Sequence, residues 1–401
     1  MEPSKPSIQS LVSEIKKEIF SNDNLHAFVS PSAYDTAWLA MIPADPSKQN
    51  CPMFKNCLNW ILENQKEEGF WGETNEDGLP TIDTLPATLA CMVALKTWNV
   101  GQENIRRGLI FVHSKVEILL KINYQNLPRW FFIVFPAMIV LAQAAGLELD
   151  FPQGSEEVII DIFLNRQQIL KMEELVDESR YCDLPLLAYL ESLPITCNVH
   201  QQEIVKHLSN DGSLFQSPSA TAFAFMATGN IQCIRYLESL VQSCPNGGVP
   251  AKYPVDEELI KLCMVDRVQR LGLTEHFNEE IEKILAKIYR SEMNRKTNVL
   301  SPIKLYKDSL SFRLFRMQGY EVNPWSFCWF LNHAEILKHM EENYEQFITV
   351  MYSVYTASDL SFPGEYELEE ARKFAKRMLE ESIKRNRDHN FVLSKGFQNM
   401  A

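Results

Sequence analysis

Apolar residues recur along this chain at spacings of three and four, and almost never at a spacing of two. Leu259, Leu262, Met264, Val265, Val268 and Leu271 follow that rule. Ile281, Ile284, Leu285 and Ile288 repeat it at i, i+3, i+4 and i+7, with Glu279, Glu280, Glu282, Lys283 and Lys287 around them. A helix with one apolar stripe must bury it against another element, and strands are not on offer. The chain is therefore expected to be all-α. Breaks fall at Asp45–Pro46, Phe151–Gly154, Cys244–Pro250 and Ser361–Gly364, which divide it into many medium helices joined by short loops.

The 401 residues, 46% of them apolar, supply enough material for two or three cores and exclude disordered and collagen-like classes. Acidic side chains outnumber basic ones by 52 to 39, for a net charge of −13. Nucleic-acid binding needs clustered Lys and Arg, so nucleic acid is not an expected partner, and adhesion to anionic membranes is disfavoured for the same reason. Nine cysteines (Cys51, Cys57, Cys91, Cys182, Cys197, Cys233, Cys244, Cys263 and Cys328) include no CxxC, and the eight histidines form no HExxH. They read as reduced, mostly buried thiols of an intracellular protein, ahead of a zinc or disulfide framework. Met1–Ser30 has no apolar h-region and no Arg, and carries Glu2, Glu14, Glu18 and Asp23, unlike a signal or transit peptide. A cytoplasmic location follows as an expectation. The longest apolar run, Trp130–Ala142, is interrupted by Pro136 and falls short of the ~20 residues of a membrane span. It reads as a buried core helix.

One internal repeat stands out. Glu68-Gly69-Phe70-Trp71-Gly72 precedes Thr84-Leu85-Pro86-Ala87-Thr88-Leu89-Ala90, and Asp211-Gly212-Ser213-Leu214-Phe215 precedes Ser217-Pro218-Ser219-Ala220-Thr221-Ala222-Phe223. In each copy an acidic-Gly turn leads to a Pro and then to a helix of small residues. Such a unit suits a double-ring helical barrel, with small-residue helices on the inside. Two unrelated turn–helix pieces remain the alternative.

Several segments carry a resemblance. Ser30-Pro31-Ser32-Ala33-Tyr34-Asp35-Thr36-Ala37-Trp38 resembles the N-terminal SAYDTAW signature of plant diterpene-type terpene synthases. Asn64 to Gly72 looks like their QW-type repeat, and Asn210–Leu214 with Ser217–Ala222 like their DGS…SPSATA segment. Tyr253-Pro254-Val255-Asp256, Asp266–Leu273, Phe312–Arg316 with Gly319-Tyr320, and Phe362-Pro363-Gly364-Glu365 follow in the family's order. Leu127–Phe131 with Phe135–Met138, Asn246–Pro250 and Phe327–Leu331 are similar to the linalool and geranyllinalool synthase branch. The resemblance implies two (α/α) double-ring barrels: a β domain from residues 1–45 and 251–401, and a γ domain inserted at 46–250. It implies that the β barrel is incomplete, and that the catalytic class I α domain lies beyond this chain.

Two motifs start the chemistry in this family. The first, DxDD, protonates an alkene or epoxide with a carboxyl kept acidic by its neighbours. Aligned on Phe312-Arg313, its positions hold Lys304, Tyr306 and Lys307, with Leu305 as the variable residue. An ammonium of pKa ~10.4 is too weak an acid for that step. Asp308 remains nearby, and its expected state is a solvated, ionised charge with a lowered pKa beside two Lys. The second motif, DDxxD with a downstream triad, holds Mg²⁺ against a substrate diphosphate from one face of a helix. No DDxxD occurs; Glu341-Glu342 and Glu369-Glu370 are paired acids in polar, solvent-facing helical contexts.

No residue is therefore expected to act as a catalytic, cofactor-binding or metal-binding group, and Mg²⁺ enters only through the resemblance. Trp38, Trp60, Trp71, Trp98, Trp130, Trp325 and Trp329 are expected to pack cores rather than line a cation site. Thr356 replaces the Arg of the family's YRAS-type segment. Leu368–Ile383 reads as a helix, whereas Lys384–Ala401 shows no apolar face. The resemblance implies an enzyme that ionises geranyl, farnesyl or geranylgeranyl diphosphate and adds water to the allylic cation. The 401 residues by themselves are expected to be inactive. The alternative is a non-catalytic helical scaffold, or a partner of a full-length synthase.

Overall fold

The computed structural model describes residues 7–20, 25–45, 51–75, 77–124, 127–176, 184–197, 199–292, 302–342 and 347–385. Cys182 and the expected tail from residue 386 onward lie outside them. Among the described residues there are helices and isolated bridges but no strand, so the fold is all-α. The chain forms two compact units, one between Val29 and Val255 and the other contributed up to Phe28 and from Asp256 on. These will be called the inserted and the flanking unit.

The flanking unit opens with α1 (Ile8–Ile15). The inserted unit then contains α2 (Ala33–Ala40), α3 (Lys55–Glu63), α4 (Thr84–Thr97), α5 (Gln102–Asn123), α6 (Arg129–Ala144), α7 (Gln153–Met172), a 3₁₀ segment Leu186–Ser192, α8 (Gln201–Lys206), α9 (Pro218–Thr228) and α10 (Ile231–Ser243). Helices buried all round alternate with one-sided ones. Every residue of α4 from Thr84 to Leu95 is buried, and so are Asp35 to Ala40 of α2, whereas α5 leaves Ile110, Ile118 and Ile122 exposed. The run around Pro136 is the helix α6, with Phe131, Phe135 and Met138 buried, and it spans no membrane; no described helix is long and apolar enough to do so. The units divide at 28/29 and 255/256, while the sequence reading places the changes at 45/46 and 250/251. The difference at the first boundary is α2, whose apolar surface lies with α3, α4 and α9.

The repeat read as twofold is threefold. The Trp71 N–H donates to Thr88 Oγ1 at 3.1 Å, and the Leu214 N–H to Thr221 Oγ1 at 2.9 Å. The Val249 N–H makes the same bond to Thr36 Oγ1 at 3.0 Å. In all three the donor sits two residues after a turn glycine, and the Thr is fully buried on an inner helix. The third copy is divided along the chain: its turn is Asn246–Val249 and its helix is α2. The Ser32 N–H also donates to the Val249 carbonyl at 2.7 Å, as the Ser217 N–H does to the Leu214 carbonyl at 3.0 Å. The last turn of the inserted unit thus docks on its first helix and joins the two ends of the unit.

Thr221→Val keeps the side-chain shape but leaves the buried Leu214 N–H without its acceptor. Unfolding in urea is expected to show a loss of about 1–3 kcal/mol. Thr97→Val, whose hydroxyl bonds only the Val93 carbonyl of its own helix, is expected to stay within about 0.5 kcal/mol of the parent.

The flanking unit continues with α11 (Glu257–Arg270), α12 (Asn278–Glu292), α13 (Pro302–Met317), α14 (Trp325–Cys328), α15 (Ala334–Glu342), α16 (Ile348–Ser358) and α17 (Tyr366–Arg385). Leu262, Leu285, Phe312, Phe315, Phe327 and Val350 form its core. Small residues let α13 and α16 approach, and the Ser309 and Ser353 hydroxyls meet at 2.8 Å between them.

Candidate functional site

The positions where the resemblance calls for acids lie at the start of α13. Lys307 is 7% exposed, and its ammonium donates to both Asp256 carboxylate oxygens at 2.8 Å and faces Glu258 Oε2 at 2.9 Å. Both carboxylates are held from α11. Asp256 caps that helix, accepting the Leu259 N–H at 3.0 Å, and Glu258 accepts the Ser291 hydroxyl of α12 at 2.6 Å. One cation thereby joins α11, α12 and α13. Tyr306 is buried beside Cys263, and burial holds its phenol well above the usual range, so it stays protonated.

Asp308 departs from its expected state. Its carboxylate is 16% exposed, accepts the Trp329 indole N–H at 2.8 Å and bonds the Lys304 ammonium, which also lies 5.4 Å from the Trp329 ring centre. Burial raises its pKa, and the pull of Lys304 and Trp329 does not fully offset this. The expectation of a solvated Asp with lowered pKa counted its Lys neighbours but not the apolar helix faces over it. Lys304 and Trp329 both bind the same oxygen, Oδ2. The group formed by 304, 306, 307 and 308 holds charges in place, with an ammonium at 304, a buried phenol at 306 and an ammonium at 307 where the resemblance calls for carboxylic acids.

Of the other paired acids, Glu341, Glu369 and Glu370 are surface groups, and the Glu342 side chain lies outside what the structure describes. Glu341 is exposed and pairs with Arg377, and Glu369 pairs with Lys373 at 2.8 Å. Among the described residues no three His, Cys, Asp or Glu side chains gather as a metal site. Asp256 and Glu258 approach each other, but the Lys307 ammonium stands between them, so these residues do not fit Mg²⁺. Tryptophans pack or brace: Trp71 is fully buried with its N–H on the Ile61 carbonyl at 2.7 Å, and Trp98 reaches the Ala40 carbonyl at 2.7 Å. Trp325 is exposed. The Thr356 hydroxyl turns back on the Tyr352 and Ser353 carbonyls of its own helix, both at 3.0 Å.

The recognised segments instead supply the polar skeleton of the flanking unit. Asp266 accepts Arg270 Nε at 2.8 Å and also binds Arg313. Arg316 donates to the Leu360 carbonyl at 2.6 Å, the Val322 carbonyl at 2.9 Å and Glu365 Oε2 at 2.6 Å. This guanidinium holds the Glu365 carboxyl below its usual range. In the inserted unit, sequence reasoning missed Glu191, which meets Tyr34 of the SAYDTAW-like segment through a 2.9 Å hydrogen bond. The available signal was an Asp in a short helix made mostly of small and apolar residues.

These motifs follow one another along the chain in the order expected from the resemblance. The model of the terpene synthase N-terminal domain matches residues 200–398. The chain belongs to the terpene synthase family. It is 44% identical over 398 residues to the S-linalool synthase of Clarkia breweri, covering 95% of this chain and 46% of the relative. It is 46% identical over 405 residues to the (E,E)-geranyllinalool synthase of Arabidopsis thaliana, covering 94% of this chain and 46% of the relative. Among solved structures, ent-copalyl diphosphate synthase from Arabidopsis thaliana, in complex with (S)-15-aza-14,15-dihydrogeranylgeranyl thiolodiphosphate, is similar with a TM-score of 0.71 and 30% identity. That match covers 97% of this chain and 54% of the other. This terpene synthase chain spans about half the length of the curated relatives it matches.

Proposed function

We propose that these residues are the β (flanking) and γ (inserted) helical portion of a linalool/geranyllinalool-type synthase, and that they do not themselves start the reaction. In that reading a prenyl diphosphate is ionised with Mg²⁺ by residues outside these 401, and water captures the cation as a tertiary alcohol. The observation that carries the reading is the Lys307 ammonium, locked between Asp256 and Glu258 where an alkene-protonating enzyme needs a carboxylic acid. The identity to S-linalool and (E,E)-geranyllinalool synthases supports the branch.

The test is an assay of the purified 401-residue protein with Mg²⁺ and geranyl, farnesyl or geranylgeranyl diphosphate. No linalool, nerolidol or geranyllinalool is expected above a protein-free control. No cyclised diphosphate is expected from geranylgeranyl diphosphate either. Release of any of these products by this chain would overturn the reading.

A further inference from the structure

Two acids of the inserted unit are buried side by side without a cation. Asp35 is 5% exposed and Glu191 8%. Neither is ion-paired among the described residues. Asp35 accepts the Ser32 hydroxyl at 2.6 Å and the Ser219 N–H at 3.0 Å, so both of its oxygens are occupied. Glu191 differs. One of its oxygens accepts the Tyr34 hydroxyl at 2.9 Å, while Oε2 is buried with no partner. A carboxylate oxygen in that position would carry charge with neither water nor a donor to meet it, which a protonated carboxyl avoids.

Among the described residues no cation pairs with the Glu191 carboxyl. From α2, Tyr34 and Asp35 face Glu191. From α7, Arg166 reaches the neighbouring Ser192 carbonyl rather than the carboxyl. From α6, Arg129 lies over the Tyr189 ring and pairs with Glu173. α9 contains no titratable side chain. We propose that Glu191, Tyr34 and Asp35 form a proton-binding site, in which Glu191 is held as the carboxylic acid and joins α2 to the Leu186–Ser192 segment. When that joint opens, Glu191 releases its proton to water.

The pKa directions agree with the geometry. Burial raises Asp35 to about 6 and Glu191 to about 8, the latter with a contribution from charged Asp35. The folded joint therefore binds more protons than the opened one. Its stability is fully present below the ordinary carboxyl range and is lost as pH rises through the folded values. Asp35 acts over the lower part of that window, and between about pH 6 and 8 the slope belongs to Glu191.

Hydrogen exchange of the full chain tests this, read on peptides covering Ala33–Ala40 and Leu186–Ser192 and corrected for intrinsic exchange. In the parent, the opening constant is expected to rise by up to about tenfold per pH unit from pH 6 to 8, then level off. Glu191→Gln, isosteric with the acid, should flatten that rise. Tyr34→Phe, which removes a donor that favours the charged carboxylate, should move the levelling to higher pH. A flat parent profile, an unchanged slope in Glu191→Gln, or levelling at the same pH in Tyr34→Phe would overturn the proposal.

Discussion

Lys307→Asp is expected to lower the stability of the flanking unit by about 4 kcal/mol, and Lys307→Met by about 3 kcal/mol. The ammonium is 8% exposed at its side chain and neutralises two carboxylates that capping and a hydroxyl bond fix in place. Removing one partner of a buried ion pair leaves the other uncompensated, which dominates the loss. The Asp256 side chain is 41% exposed and that of Glu258 23%. Water therefore screens part of the repulsion, and the Met variant falls at the lower end of the range for buried pairs. A third carboxylate in Lys307→Asp adds like-charge repulsion. The triple variant Asp256→Asn, Glu258→Gln, Lys307→Met removes all three charges and keeps a competent helix cap. It is expected to return to within about 1 kcal/mol of the parent. Urea unfolding at pH 7 distinguishes these cases, and a Lys307→Met loss below about 0.5 kcal/mol would show that the triad is not structural. Even a folded Lys307→Asp protein is expected to lack alkene protonation, because Lys304 and Tyr306 occupy the other acid positions.

Helix positions were legible in the sequence because the 3.6-residue period is a local signal. Leu259–Val268, Ile281–Ile288 and Leu368–Ile383 each fall on one helix, with Leu271 at the cap of the first. That Lys304 and Lys307 stand where the resemblance calls for acids was equally legible, and an ammonium cannot be made into a strong acid by its neighbours. What the sequence did not reveal was long-range pairing. Nothing in the α13 segment names Asp256 and Glu258, some fifty positions away, as the partners of Lys307. Asp308 was misjudged for the same reason: its charge state depends on burial beneath faces that periodicity does not place. Two of the three repeat copies were visible because turn and helix are adjacent in sequence. The third was not, because Asn246–Val249 and Ala33–Ala40 stand at opposite ends of the inserted unit.

That divided copy leads to the second large effect. Gly247→Ala is expected to lower the stability of the inserted unit by about 3–5 kcal/mol. Gly247 has φ of 86°, and an added Cβ would lie 2.2 Å from the Asn56 carbonyl oxygen and 2.6 Å from its carbon. The obstacle is helix backbone of α3, which cannot swing aside as a flexible side chain could. To accept the methyl, the turn must lift, and lifting it pulls the Val249 N–H from Thr36 and the Val249 carbonyl from Ser32. The ends of the unit then separate, although no apolar side chain has been changed. Gly229→Ala is the control, since it also has positive φ but meets nothing within 4 Å. It carries the conformational strain alone, about 1 kcal/mol. Thermal unfolding of the two variants separates closure from strain. Equal losses would mean that docking of the last turn on the first helix contributes nothing beyond backbone preference.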